Sequence, residues 1–139
     1  TLARIVNEQT IAYVSCDDEN DEHFAELQAM KKELEAFLTA EGKPYTLIPL
    51  PMASAKFDED GNRIPATYAN FLIMNEVVLL PIYDCATDAK AIEVLKYTFA
   101  NKKILPIDCS VLLLQHGSLH CVTMQYPQGV LSNKGTNGK

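Results

Sequence analysis

Apolar residues recur along the chain with two different periods, and this change of period predicts a mixed α/β protein. Two short apolar stretches, residues 2–6 and 11–14, flank polar residues 7–10 and predict a β-hairpin. In the next run, apolar residues are three and four positions apart, as on one face of an amphipathic helix: Phe24, Leu27, Met30, Leu34, Phe37 and Leu38. Gly42 suits the end of that helix, and residues 45–50 predict a third strand.

The same order of elements returns in the second half of the chain. After a loop at residues 52–66, residues 68–74 and 77–82 predict two strands. Residues 89–99 predict a helix and 103–107 a further strand. The chain is therefore predicted to contain two strand-strand-helix-strand units with a period of roughly 60 residues, although the two units share little sequence identity.

The composition is that of a globular protein with an acidic surface. Of 139 residues, 47% are hydrophobic and 22% are charged, and the formal net charge is −6. Nucleic acids and anionic membranes attract clustered Lys and Arg, so we expect neither as a partner. No apolar run reaches the roughly 18 residues that span a bilayer, and the sequence shows no secretory signal pattern.

The four cysteines show neither a CxxC pair nor a metal-ligand spacing. Reduced cysteines are usual inside cells, so the sequence predicts a cytoplasmic protein without a metal or cofactor. Cys16, Cys85 and Cys109 each follow a predicted strand, where a small apolar thiol packs well, and we expect them to be structural.

The chain begins at Thr1 and runs directly into apolar sequence, which predicts a fragment or a processed product of a longer protein. In each predicted unit the helix covers one face of a small sheet, and the remaining flanks need neighbours, as in repeat proteins. Exposed strand edges favour such pairing. We expect the neighbour to be the N-terminal part of the same protein or another copy of the chain.

The segment around Cys121 carries the clearest candidate chemistry. The turn at residues 117–118 contains glycine, and residues 119–124 predict a short strand. Neighbouring residues on a strand point to opposite faces, so His120 is not expected to pair directly with Cys121. From these residues alone, Cys121 is either a buried structural thiol or a nucleophile whose base lies elsewhere.

Three separated segments form a recognisable set of motifs. Residues 117–125 have the sequence Gly-Ser-Leu-His-Cys-Val-Thr-Met-Gln, residues 65–71 have Pro-Ala-Thr-Tyr-Ala-Asn-Phe, and residues 107–109 have Ile-Asp-Cys. Together they resemble the agmatine deiminases and the Porphyromonas-type peptidyl-arginine deiminase family, whose terminal motif is Gly-x-x-His-Cys-x-Thr-x-Gln. The resemblance covers residues 1–127.

The resemblance implies a pentein, a five-bladed α/β propeller of strand-strand-helix-strand units around a central site. Residues 1–127 would be the C-terminal portion of that domain, with its last two blades at about 1–50 and 66–108. Residues 109–127 would then be the segment that bears the nucleophile, and residues 128–139 a flexible tail.

The implied reaction hydrolyses a guanidinium group to a ureido group and ammonia. For agmatine the product is N-carbamoylputrescine, on the route to putrescine. The resemblance makes Cys121 the nucleophile, with a thiouronium intermediate, and makes Thr67 and Asn70 candidate substrate-binding residues. The alternative for Thr67 and Asn70 is that their side chains satisfy backbone groups of loops and strand ends.

The resemblance also implies that part of the active site lies outside the chain. The family's catalytic His-x-Asp immediately precedes the segment that matches Thr1, so the isolated chain is expected to be inactive. Met124, Tyr126 and Glu76 depart from the family pattern, and they leave the choice among agmatine, peptidyl-arginine and free arginine open.

Two other classes of protein are compatible with the sequence. One is a non-catalytic half that assembles with the missing N-terminal part. The other is a small stand-alone cysteine hydrolase, which needs a base from one of the three histidines of the chain: His23, His116 or His120.

Overall fold

The first structural unit is a three-stranded sheet with a crossover helix. The computed structural model describes residues 1–127 and 129–130. Its first two strands, β1 (Ala3–Asn7) and β2 (Thr10–Ser15), form an antiparallel hairpin. Strand β3 (Thr46–Pro51) then runs parallel to β2. Because parallel neighbours need a long connection, helix α1 (Phe24–Glu35) crosses over between them.

A small hairpin and a 3-10 turn connect the two units. Strand β4 (Lys56–Phe57) pairs with β5 (Arg63–Ile64) in antiparallel fashion. The 3-10 turn Tyr68–Asn70 follows, and the Thr67 hydroxyl starts it by accepting the backbone N–H of Ala69 at 3.2 Å. Such a side-chain cap satisfies a donor that the short turn leaves unpaired.

The second unit has the topology of the first. Strands β6 (Leu72–Ile73) and β7 (Val77–Ile82) are antiparallel, and β8 (Lys103–Asp108) lies parallel to β7. Helix α2 (Asp88–Thr98) makes the crossover. The chain then continues into the short helix α3 (Ser110–Leu113) and a 3-10 turn near its end.

The two units share one hydrophobic core. Helix α2 packs against β3 of the first sheet as well as against β8 of its own. Leu50, Leu80 and Leu95, which come from β3, β7 and α2, are fully buried there. Burial of a leucine side chain contributes about 1.5–3 kcal/mol, so this layer holds the units together.

A cation also joins the two units. The Arg4 guanidinium on β1 donates from Nη1 to the Phe71 carbonyl oxygen at 2.9 Å. Its carbon lies 5.1 Å from the centre of the Phe71 ring, within the range of a cation–π contact. These contacts hold the first strand beside the turn that carries Asn70.

The predicted order of strands and helices within each unit is confirmed, whereas the loop predicted at 52–66 contains the hairpin of β4 and β5. Two predicted strands also differ from the structure. Within residues 68–74 only β6 forms a strand, because the Thr67 cap turns the first part into a 3-10 helix. No strand forms over residues 119–124, where the 3-10 turn His120–Val122 lies instead.

The first helix is also shorter than its apolar pattern predicts. It ends at Glu35, and Phe37 and Leu38 lie beyond it with 51% and 60% of their surface exposed. Across the described residues, every helix falls short of the length and apolar content that a bilayer span requires. Apart from residues 129–130, the tail predicted at 128–139 lies outside the described residues.

Candidate active site

The segment that carries Cys121 is shaped by two successive tight turns. After α3, the backbone reverses at His116, which has a φ of +55°. The sequence predicted that Gly117 would supply this reversal, whereas the left-handed residue is the histidine before it. The 3-10 turn His120–Val122 follows and is closed by the Cys121 N–H, which donates to the Ser118 carbonyl oxygen at 3.1 Å.

Cys121 presents its thiol to solvent. Cys16 and Cys109 are buried, Cys85 is half-buried, and all four cysteines are free. The alternative interpretation of Cys121 as a buried structural thiol is therefore wrong. Cys16 and Cys109 are buried as predicted. An exposed thiol in a hydrogen-bonded turn is accessible to a substrate, which is the first requirement of a nucleophile.

The Cys121 sulfur has polar partners that favour its thiolate form. The Asn70 side-chain amide lies 3.4 Å from Sγ and donates to it. Hydrogen bonding from the Ser118 backbone, followed by that from Asn70, lowers the pKa of Cys121 below its ordinary value. A lower pKa raises the fraction of thiolate near neutral pH, and the thiolate is the reactive form.

Asn70 joins the nucleophile turn to the rest of the fold. Its side chain is buried, with 3% of its surface exposed, and its Oδ1 accepts the backbone N–H of His120 at 2.7 Å. One amide therefore positions the turn through its oxygen and contacts the sulfur through its nitrogen. These bonds match the backbone-satisfying role considered for Asn70, and direct contact with substrate stays a prediction.

Thr67 lies beside the first residue of the chain. Its hydroxyl donates to the Thr1 carbonyl oxygen at 3.1 Å while it accepts from Ala69 N–H. Both bonds involve backbone groups, as in the alternative role considered for Thr67. A role of Thr67 in substrate binding likewise stays a prediction.

Tyr83 and Ser118 belong to the site and were missed at the sequence level. Both are fully buried, and their hydroxyl oxygens lie 2.8 Å apart. The Tyr83 hydroxyl also donates to the Thr67 carbonyl oxygen at 2.8 Å. The partners of Tyr83 lie 16 and 35 residues away along the chain, so no local pattern could have identified them.

The histidines are not arranged as partners of the thiol. Among the described residues, no histidine ring forms a hydrogen bond with the Cys121 sulfur. Burial, and then the nearby Arg4 cation, lower the pKa of His120, so its ring is neutral at neutral pH. Residues 1–127 and 129–130 also contain no group of three or more His, Cys, Asp or Glu that could hold a metal ion.

The chain belongs to the Porphyromonas-type peptidyl-arginine deiminase family, whose sequence model matches residues 1–127. A protein of Marinomonas sp. (strain MWYL1) with the name "Putative agmatine deiminase" is 31% identical to it. That match covers 91% of this chain and 39% of the relative.

Solved structures show the same similarity. A "putative arginine deiminase" from Porphyromonas gingivalis is 53% identical with a TM-score of 0.90, over 93% of this chain and 38% of that chain. An agmatine deiminase of C. jejuni, a cysteine-to-serine variant with substrate bound, is 38% identical with a TM-score of 0.77, over 86% of this chain and 34% of that one. The chain thus spans 34% to 39% of the length of these relatives.

The contact between Asn70 and Cys121 gives a first test of thiol reactivity. Replacement of Asn70 by Asp puts a carboxylate 3–4 Å from the sulfur, and a like charge disfavours the thiolate. We expect the pKa of Cys121 to rise by about one unit or more, and the rate of its alkylation at pH 7 to fall about tenfold. The measurement is the pH profile of iodoacetamide labelling at Cys121, with peptide mapping by mass spectrometry.

The matched control is Asn75→Asp, which introduces the same charge in an exposed turn. Its labelling profile should equal that of the unmodified chain. Equal profiles for Asn70→Asp and the unmodified chain would show that the amide does not influence the thiol.

Proposed function

We propose that this chain supplies the nucleophile of a guanidine deiminase, in which the Cys121 thiolate attacks the guanidinium carbon of agmatine. One observation carries the proposal: the exposed Cys121 sulfur is held by the buried amide of Asn70 in a turn whose hydrogen bonds favour the thiolate. The family of the chain and its similarity to solved structures named as an arginine deiminase and an agmatine deiminase support the same reaction.

The proposed reaction proceeds in two stages through a covalent intermediate. The sulfur forms a bond to the guanidinium carbon and gives a tetrahedral adduct, from which protonated nitrogen leaves as ammonia. A thiouronium remains attached to Cys121. Water then adds to its carbon, the carbon–sulfur bond breaks, and the ureido product and the free thiol result. For agmatine the product is N-carbamoylputrescine, a precursor of putrescine.

The substrate itself contributes to activation of the thiol. A guanidinium cation beside Cys121 favours the thiolate, as any positive charge does. This effect adds to the hydrogen bonds from Ser118 and Asn70, which are present without substrate. The cysteine therefore needs no strong base in the resting protein, but the departing nitrogen still needs a proton donor.

The proton donor and the carboxylates that grip the guanidinium are proposed to precede Thr1. The Thr1 carbonyl is hydrogen-bonded to Thr67, which begins the turn that carries Asn70. A segment joined to Thr1 would therefore enter close to Cys121. The family resemblance puts a His-x-Asp in that segment, where the histidine would act as acid and base and carboxylates would pair with the N–H groups.

We also propose an architecture and a cellular location for the chain. The two repeated, open sheets are consistent with two blades of a five-bladed propeller, completed by the N-terminal part of the same protein or by assembly with another copy of the chain. Four free cysteines are consistent with a reducing cytoplasm. No cofactor takes part in the proposed chemistry.

Peptidyl-arginine or free arginine is the second candidate substrate. It is favoured by the 53% identity to the P. gingivalis protein, which exceeds the 38% identity to the C. jejuni agmatine deiminase. All three substrates present the same guanidinium group to Cys121. The substrates differ in the group at the end of the molecule remote from the guanidinium. We propose that residues outside this chain contact that group.

A substrate panel tests the proposal. The assay uses the longer protein, which contains the residues that precede Thr1. This protein is incubated with agmatine, free arginine or an arginine-containing peptide, and the ureido product is measured colorimetrically. We expect agmatine to have the highest kcat/KM. Faster turnover of the peptide would make peptidyl-arginine the preferred substrate in place of agmatine. Absence of a ureido product from all three compounds would refute deimination.

A further inference from the structure

The hydroxyl group of Tyr83 lies where two separate turns meet. Tyr83 follows β7 and is fully buried, and its hydroxyl donates its single hydrogen to the Thr67 carbonyl oxygen at 2.8 Å. Because that hydrogen is used, the Ser118 hydroxyl is the donor in the 2.8 Å contact between the two side chains. The Thr67 N–H donates to the same tyrosine oxygen at 3.3 Å.

Each of these turns contributes a group that acts on Cys121. The Thr67 carbonyl also accepts the Asn70 N–H at 3.2 Å, so Tyr83 binds the acceptor that closes the turn of Asn70. In the other turn, the Ser118 carbonyl accepts the Cys121 N–H. Asn70 and the backbone of Ser118 are the groups whose hydrogen bonds favour the thiolate of Cys121.

We propose that Tyr83 is a positioning residue for the nucleophile: its hydroxyl fixes the turns of Asn70 and Ser118 relative to each other, so that both act on one sulfur. Burial raises the pKa of Tyr83 to about 12, so the phenol stays neutral and keeps its hydrogen through the working range of pH. A role of Tyr83 in catalysis rests on the proposed function of Cys121 as the nucleophile. Its effect on the pKa of the Cys121 thiol does not depend on that function.

Three titratable groups lie beside Tyr83. Cys109 and Cys121 act electrostatically on its hydroxyl, and the Asp88 carboxylate accepts its backbone N–H at 3.2 Å. Burial raises the pKa of Cys109, which therefore remains a neutral thiol. The amino group of Thr1 adds a smaller effect on Cys121. It is unchanged in every variant below, so differences between variants report on the hydroxyl of Tyr83.

The test is Tyr83→Phe in the full chain, which removes one oxygen and keeps the ring. We expect the pH midpoint of Cys121 alkylation to rise by about half a unit to one unit, which is about a threefold to tenfold lower rate at pH 7. Ser118→Ala, which breaks the same bridge from the other side, should shift the midpoint in the same direction. Circular dichroism and thermal unfolding verify that each variant is folded.

Tyr68→Phe is the matched control. Tyr68 is equally buried and its ring centre lies 5.6 Å from that of Tyr83, but its hydroxyl donates to Asp88 at 2.6 Å and does not bond either turn's backbone. This variant should lose stability and keep the alkylation midpoint of the unmodified chain.

Two results would overturn the inference. One is an unchanged midpoint in folded Tyr83→Phe, or in Ser118→Ala if Tyr83→Phe does not fold. The other is an equal rise in Tyr68→Phe, since that would show a general effect of lost buried hydroxyls. Failure of the proposed deimination would instead appear as inactivity of the longer protein, with the alkylation shifts intact.

Discussion

Replacement of Cys121 by Ser in the longer protein, with the residues that precede Thr1, should lower kcat for agmatine deimination by about 10⁴-fold or more. A serine hydroxyl is not ionised near neutral pH, and hydrogen bonds such as that from the Asn70 amide, which favour a thiolate, are too weak to ionise an alcohol. Agmatine should still bind, because the side chain is exposed and the substitution changes one atom. Steady-state kinetics and calorimetric titration measure the two effects separately.

Cys85→Ser is the control for this substitution. Cys85 is half-buried and its sulfur lies within hydrogen-bond range of the hydroxyls of Tyr68 and Thr87, which a serine can also contact. This variant should keep kcat within a few-fold of the original. Retention of a tenth or more of the activity by Cys121→Ser would remove Cys121 from the proposed mechanism.

The isolated chain should release no ammonia from agmatine above the uncatalysed rate, whereas the longer protein should turn over. The physical reason is that the proposed proton donor precedes Thr1 and would be absent from the isolated chain. Among the described residues no histidine ring bonds the Cys121 sulfur, and a departing nitrogen that stays unprotonated is a poor leaving group. An ammonia assay with both proteins at equal concentration makes the comparison, and labelling of Cys121 in the isolated chain verifies that its thiol is available.

Cys121-dependent ammonia release by the isolated chain would contradict this expectation. The proton donor would then lie within the chain itself. Single replacements of His23, His116 and His120 by Ala would identify it, and this outcome would restore the small stand-alone cysteine hydrolase as the better description.

Much of the fold was predictable because its signals are local. The apolar run of β7 lies between polar residues, and its predicted and observed bounds are the same, Val77–Ile82. The helix predicted at 89–99 is α2, shifted by one residue. The hairpin of β1 and β2 follows from two apolar stretches and a polar turn. Together these elements specify the repeated unit.

The geometry of the site was not predictable because its determinants are distant in sequence. The apolar residues around Cys121 suggested a strand, but the oxygen of Asn70, 50 residues away, accepts the His120 N–H at the start of a 3-10 turn. The bridge from Tyr83 to Ser118 spans 35 residues. The motif around Cys121 indicated this residue as the candidate nucleophile, whereas the hydrogen bonds that position it are visible only in the fold.

The most direct test of the central claim is to trap the covalent intermediate. The longer protein is mixed with agmatine, quenched in acid during turnover and digested, and the peptides are analysed by mass spectrometry. The peptide that contains Cys121 should carry the added mass of the substrate less one ammonia. A substrate-derived adduct on any other residue, or turnover with no adduct on Cys121 at any quench time, would contradict the proposed mechanism.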